Sequence, residues 1–162
     1  WQEQIFARDR MAPTVASTTC VWLHGDSLSP HDAALQAYPD APVVFVFDEP
    51  LLTGHYRLTF KRLFFMYECL VDLYEQIPNP VKELRRGRVV DEVLDVCRAC
   101  GATQLAVTET YAPRYRQFVR QFEQHGLTVR QFPKPKLVPY SGPAPKRFMA
   151  FWKRIERAAF RD

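Results

Sequence analysis

The sequence predicts a doubly wound α/β domain: a three-layer sandwich around a five-stranded parallel sheet, followed by a C-terminal helix. Three observations predict it. Short β-rich runs alternate with longer runs of helical period. The clearest run, VVFVF at 43–47, is apolar at every position, as a parallel strand covered on both faces must be. Strands separated by helices imply βαβ units with right-handed crossovers.

The elements follow in order. TTCVWL (18–23) reads as a buried strand, and PHDAALQAY (30–38) as a short helix with Pro30 in its first turn. APVVFVFD (41–48) is the second strand. Residues 55–77 read as one long helix, because Leu63, Met66, Tyr67, Leu70, Leu73, Tyr74 and Ile77 recur at steps of three and four. VKELRR (81–86) is a weak strand. VVDEVLDVCRAC (89–100) is a helix stopped by Gly101. TQLAVTE (103–109) is the fourth strand, 113–125 a helix ended by Gly126, and LTVRQF (127–132) the fifth strand.

The flanks differ in composition. Residues 1–18 read as a surface tail, residues 19–132 as the α/β domain, and 133–145 as an extended connector holding five of the 13 prolines. Residues 146–162 read as an amphipathic helix with Phe148, Phe151, Trp152, Ile155 and Ala159 on one stripe.

With 162 residues and 47% apolar composition, the chain is the size of one ordinary domain. No apolar run reaches the length of a membrane span, and the N-terminal stretch has no signal-peptide core, so a cytoplasmic location is expected. The net charge of +4 is concentrated at the end, where six Lys or Arg face two acids. A solvated basic face is favoured there over direct DNA binding.

The four cysteines, Cys20, Cys69, Cys97 and Cys100, are expected to be free thiols. CRAC has redox-motif spacing but falls at the end of a helix. There the dipole should raise the thiol pKa, where a thioredoxin-type motif needs it lowered.

Ligands of such sheets sit outside the carboxyl ends of the strands, where strand order reverses. That singles out the loop after the first strand (His24, Gly25, Asp26, Ser27) and the loop after the fourth (Thr108, Glu109, Thr110, Tyr111). Neither a GxGxxG nor a Walker A pattern is present. A triad of Ser27, His31 and Asp32 lacks a nucleophile-elbow pattern. A metal site from His24, Asp26, His31 and Asp32 follows no closed-site spacing. The favoured reading is a helix start: Ser29 as cap, Pro30 at the first position, and Asp32 facing the positive helix end. No catalytic and no metal-ligating residue is expected.

The order of these motifs resembles the N-terminal α/β domain of the DNA photolyase and cryptochrome family, a Rossmann-like domain. That domain opens with a segment of the type VWFRRDLRLHDNPAL, which here reads VWLHGDSLSPHDAAL. VVFVFDEP, KRLFFMYECLVDLY, RRGRVVDEVLDVCRACGATQL, TETYAPRYRQF, HGLTVRQF and FMAFWKRIE follow at similar spacing, so the resemblance spans about residues 20–156. Val21, Trp22, Asp26, Leu28, His31, Asp32 and Leu35 keep the pattern. His24, Gly25, Ser29 and Ala33 depart from it, where the family has Arg, Arg, Arg and Asn.

The resemblance implies several things about function. The family's FAD and its electron-transfer chemistry belong to a helical domain that these residues do not match, so no FAD and no self-sufficient photolyase activity are expected here. In many photolyases the α/β domain helps hold an antenna chromophore, methenyltetrahydrofolate or a deazaflavin. By position, the matching residues would be His24, Asp26, Glu109, Thr110 and Tyr111. The expected function is a non-catalytic binding or structural subunit of a larger, light-related assembly, with no cofactor of its own. A chromophore carrier is the alternative, and an accessory to a separate FAD-containing photolyase a third reading. The residues of the C-terminal helix themselves suit docking on the domain's own sheet or helices; alternatively, Phe148, Phe151 and Trp152 with Lys146, Arg147, Lys153, Arg154 and Arg157 would present a docking surface for protein partners.

Overall fold

The computed structural model describes residues 18–54, 58–134, 136, 138 and 140–160. Five parallel strands form one sheet: β1 (Thr19–Leu23), β2 (Val43–Asp48), β3 (Lys82–Gly87), β4 (Gln104–Thr108) and β5 (Thr128–Phe132). Their order is β3-β2-β1-β4-β5, so strand order reverses between β1 and β4. Register follows the pairs Val21 with Val43 and Val21 with Ala106. The six helices among the described residues are α1 (Ala33–Ala37), α2 (Glu49–Thr53), α3 (Phe60–Gln76), α4 (Val89–Cys100), α5 (Pro113–Gln124) and α6 (Phe148–Ala159).

The expected doubly wound sandwich is present. Successive strand residues point to opposite faces, and each face has its own core. Cys20, Trp22, Val44, Val46, Leu105 and Val107 pack with α4 and α5. Val21, Leu23, Val43, Phe45, Phe47 and Ala106 pack with α1 and α3. This explains the apolar runs within β1, β2 and β4: every position on them is buried except the half-buried ends Asp48 and Gln104. β3 and β5 lie at the edges and carry Lys, Arg, Glu and Gln, which blunts them against further pairing.

Three element boundaries differ from expectation. The helix placed at 30–38 runs only over Ala33–Ala37, and its cap is Asp32 rather than Ser29. The Asp32 carboxylate accepts from the amides of Ala34 (3.0 Å) and Leu35 (3.1 Å), while Ser29 builds the turn before it, accepting from the His31 amide. A carboxylate that reaches two free amides at a helix start outcompetes a hydroxyl three residues upstream.

The long helix spans Phe60–Gln76, capped by Thr59, and Leu58 and Thr59 of the expected helix are not helical. The short α2, with Pro50 in its first turn, was not anticipated. The start of the expected helix at 55–57 lies outside the described residues, as do residues 1–17 of the expected tail, positions 135, 137 and 139 of the connector, and residues 161–162.

The CRAC segment does end α4, and Gly101 caps it with a left-handed φ of 73°. Cys20, Cys97 and Cys100 meet in one core. Hydrogen bonds with Cys100 and Cys97, together with burial, push the Cys20 thiol up. Cys100 goes the other way, to about 7, because the Cys20 thiol bonds to it. The helix-end argument therefore missed a neighbour brought in from β1. All three thiols are buried, and Cys69 is half-buried.

On α6, Ile155 is buried and Phe151 packs edge-on against Tyr140 at 5.2 Å. Trp152 lies between Phe148 and Phe160.

Candidate functional site

The reversal of strand order brings together the two loops singled out above. The loop after β1 is held tight by Ser27, whose hydroxyl donates to the His24 carbonyl (3.0 Å) and accepts from the His24 amide (3.1 Å). The hydroxyl is thereby spent on backbone and is not offered to His31 or Asp32, so no triad assembles. His31 itself is exposed.

The His24 ring crosses the gap to β4. Its Nε2 lies 2.7 Å from the Thr108 carbonyl oxygen, and its Nδ1 lies 3.3 Å from the Asp26 amide. A carbonyl only accepts and an amide N–H only donates. Nε2 therefore carries the proton, Nδ1 is bare, and the imidazole is neutral. The ring also sits edge-on to Trp22 (5.7 Å) and Tyr115 (5.9 Å). Burial in this setting lowers its pKa below the ordinary 6.5, against the opposing pull of the Thr108 carbonyl and the Asp26 and Asp32 carboxylates.

This has a sign. Below pH 6.5 the unfolded chain takes up a proton that folded His24 resists, so the folded state loses stability as pH falls. Denaturant melts at pH 7.5 and 5.5 should show this loss, and the loss should shrink in His24→Gln.

A second tie joins the loops: the Thr110 hydroxyl donates to Asp26 Oδ2 at 2.5 Å. The Thr108 hydroxyl accepts from the Ala34 amide at 3.1 Å, so β4 also helps to cap α1. Among the expected site residues, His24, Asp26 and Thr110 thus form one hydrogen-bonded set. Glu109 and Tyr111 face solvent, Tyr111 at 90% exposure.

Sequence reasoning missed a third tie. Arg114 of α5 forms an ion pair with Asp48 at the end of β2, and its guanidinium lies 5.2 Å from the Phe118 ring centre. A signal for it exists, since a cation in the first turn of a helix opposes the dipole and calls for a carboxylate nearby. Glu49 and Arg86 close the next gap along the same edge at 2.8 Å.

No cluster of three or more His, Cys, Asp or Glu suited to a metal ion occurs among the described residues. An open depression of about 240 Å³, lined by Thr18, Tyr38 and Asp40 among others, lies at the amino end of β1, away from these loops.

A parallel α/β sheet with loops meeting where strand order reverses defines a Rossmann-like domain. The chain belongs to the DNA photolyase family: the family model described as DNA photolyase matches residues 23–161, most of the chain. No curated protein matches it. No helix among the described residues is long and apolar enough to cross a membrane.

Proposed function

We propose that this domain works by docking rather than by chemistry of its own, as a non-catalytic binding or structural subunit of a larger, light-related assembly. One observation carries the reading. Most of the polar atoms at the strand-order reversal, where a ligand of this fold would sit, are spent on one another, the exceptions including Asp32 Oδ2, which is buried without a hydrogen-bond partner. Both nitrogens of His24, one oxygen of Asp26, the Thr108 and Thr110 hydroxyls and the Asp48 carboxylate all have partners within the domain. A ligand taking those groups would have to replace bonds already made, with little net gain.

The second reading, a carrier of methenyltetrahydrofolate or a deazaflavin, is favoured by Tyr111 alone. Its exposed ring offers a stacking surface beside the open carboxylate of Glu109. The His24 ring fits such a ligand poorly, because both its nitrogens are used, while exposed Asp26 has one oxygen tied to Thr110.

The two readings separate in one experiment. The purified protein is scanned from the near-ultraviolet to the blue and titrated with methenyltetrahydrofolate, following ligand fluorescence, beside Tyr111→Ala. The docking reading expects a colourless protein and no saturable signal. A bound chromophore, or saturable binding lost in Tyr111→Ala, would overturn it in favour of the carrier.

A further inference from the structure

We propose that the outer face of α3 binds the basic, aromatic face of α6 from a second copy of this chain. This rests on the docking reading and names its partner.

The inner face of α3 is accounted for: Leu70 and Leu73 are buried against the sheet. Its outer face is not. Phe60, Phe64 and Val71, spaced four and seven apart, form one stripe and are 76%, 52% and 39% exposed. A helix that buries one face normally keeps its other face polar, and contiguous exposed apolar side chains mark interaction surfaces. The exposed charges of α3 are Lys61 and Arg62 in its first turn and then Glu68, Asp72 and Glu75, so the acidic part of the face is its C-terminal half, around Val71.

The opposite arrangement occurs on α6. Phe148 and Met149 are exposed at its first turn and Phe160 just past its end. Lys153, Arg154 and Arg157 are exposed along it against a single acid, Glu156. One surface is aromatic and acidic, the other aromatic and basic, and one chain carries both. Charge complementarity of this kind steers partners together and fixes their register. Each copy offers the surface that the other requires. The two reciprocal α3–α6 contacts make the interface isologous, so it closes into a two-fold pair.

The test uses the full chain in analytical ultracentrifugation over a concentration series. The wild type should associate, and more weakly at high salt, since the flanking charges are exposed to screening. Glu68→Lys/Asp72→Lys reverses one surface, and Lys153→Glu/Arg157→Glu reverses the other. All four side chains are exposed, and unchanged thermal melts confirm that the fold is kept. Each variant alone should associate at least tenfold more weakly, and an equimolar mixture of the two should regain association, because each then presents the charge that the other needs.

A wild type that stays monomeric at low salt overturns the proposal. So does association untouched by either reversal, or a mixture that fails to recover. A monomeric wild type whose α3 reversal abolishes binding to a foreign protein overturns self-pairing and leaves the docking reading standing.

Discussion

Replacing Trp22 with alanine is expected to cost about 3–5 kcal/mol, the usual range for emptying a large aromatic site in a core. Trp22 is 3% exposed at the centre of the sheet. Its ring stacks on Tyr115 at 6.2 Å and meets Phe118 and Phe122 edge-on at 5.8 and 5.2 Å. Rings held at such distances gain beyond the area they bury. Pairing with β2 and β4 holds the β1 backbone in place, so it cannot shift to fill the space. Against a typical total stability of about 5–15 kcal/mol, the variant should sit near the edge of folding. A urea melt would show a lower midpoint with a similar slope. The same change removes one wall around His24, so the pH dependence that His24 contributes should weaken with it. A midpoint within experimental error of the wild type would mean that α5 does not pack on β1 as described.

Asn79→Asp is the second large change, and it alters only an amide into a carboxylate. Asn79 is 2% exposed, in the turn before β3. Its Nδ2 donates to the carbonyls of Tyr38 (2.9 Å) and Ala41 (2.8 Å), closing the turn that leads into β2. A carboxylate has no proton to give and would face two carbonyl oxygens, that of Ala41 having lost this donor and that of Tyr38 left with the Ala41 amide at 3.3 Å. Each unsatisfied buried polar group costs about 1–3 kcal/mol, so the pair sets an expected loss of about 2–6 kcal/mol. Acidification should recover part of it, because a protonated carboxyl regains one donor. The variant should therefore be relatively less impaired at pH 5 than at pH 8, measured against wild type at the same pH. An equal deficit at both pH values would show that the turn is not held by that donation.

Asn79 also shows where sequence reading stops. Nothing local marks an asparagine between two prolines as the clamp of a turn some forty residues away. The cap of α1 is a milder case: Ser29, Pro30 and Asp32 all suit a helix start, and choosing among them needs the backbone path. That path lets Asp32, and not Ser29, reach the amides of Ala34 and Leu35. The thiols are a third case. The position of Cys97 and Cys100 at a helix end was legible, but the arrival of Cys20 beside them was not.

The candidate site divides in the same way. His24, Asp26, Glu109, Thr110 and Tyr111 were legible as two loops at the carboxyl edge of the sheet. That His24 bonds to Thr108 and Asp26 to Thr110, each pair 84 residues apart, depends on β1 lying beside β4. Only that adjacency ties His24, Asp26, Thr108 and Thr110 into one hydrogen-bonded set.

By itself, the sequence determined the layers, the strand runs, the core-facing side of α3 and the family, because hydrophobic period and motif order are local properties. The tertiary structure decided which loops meet, which histidine nitrogen carries the proton, and which aromatic side chains remain uncovered. Periodicity says which side of a helix faces the sheet. Whether Phe60, Phe64 and Val71 on the other side find cover depends on where every other element lies, and among the described residues none covers them.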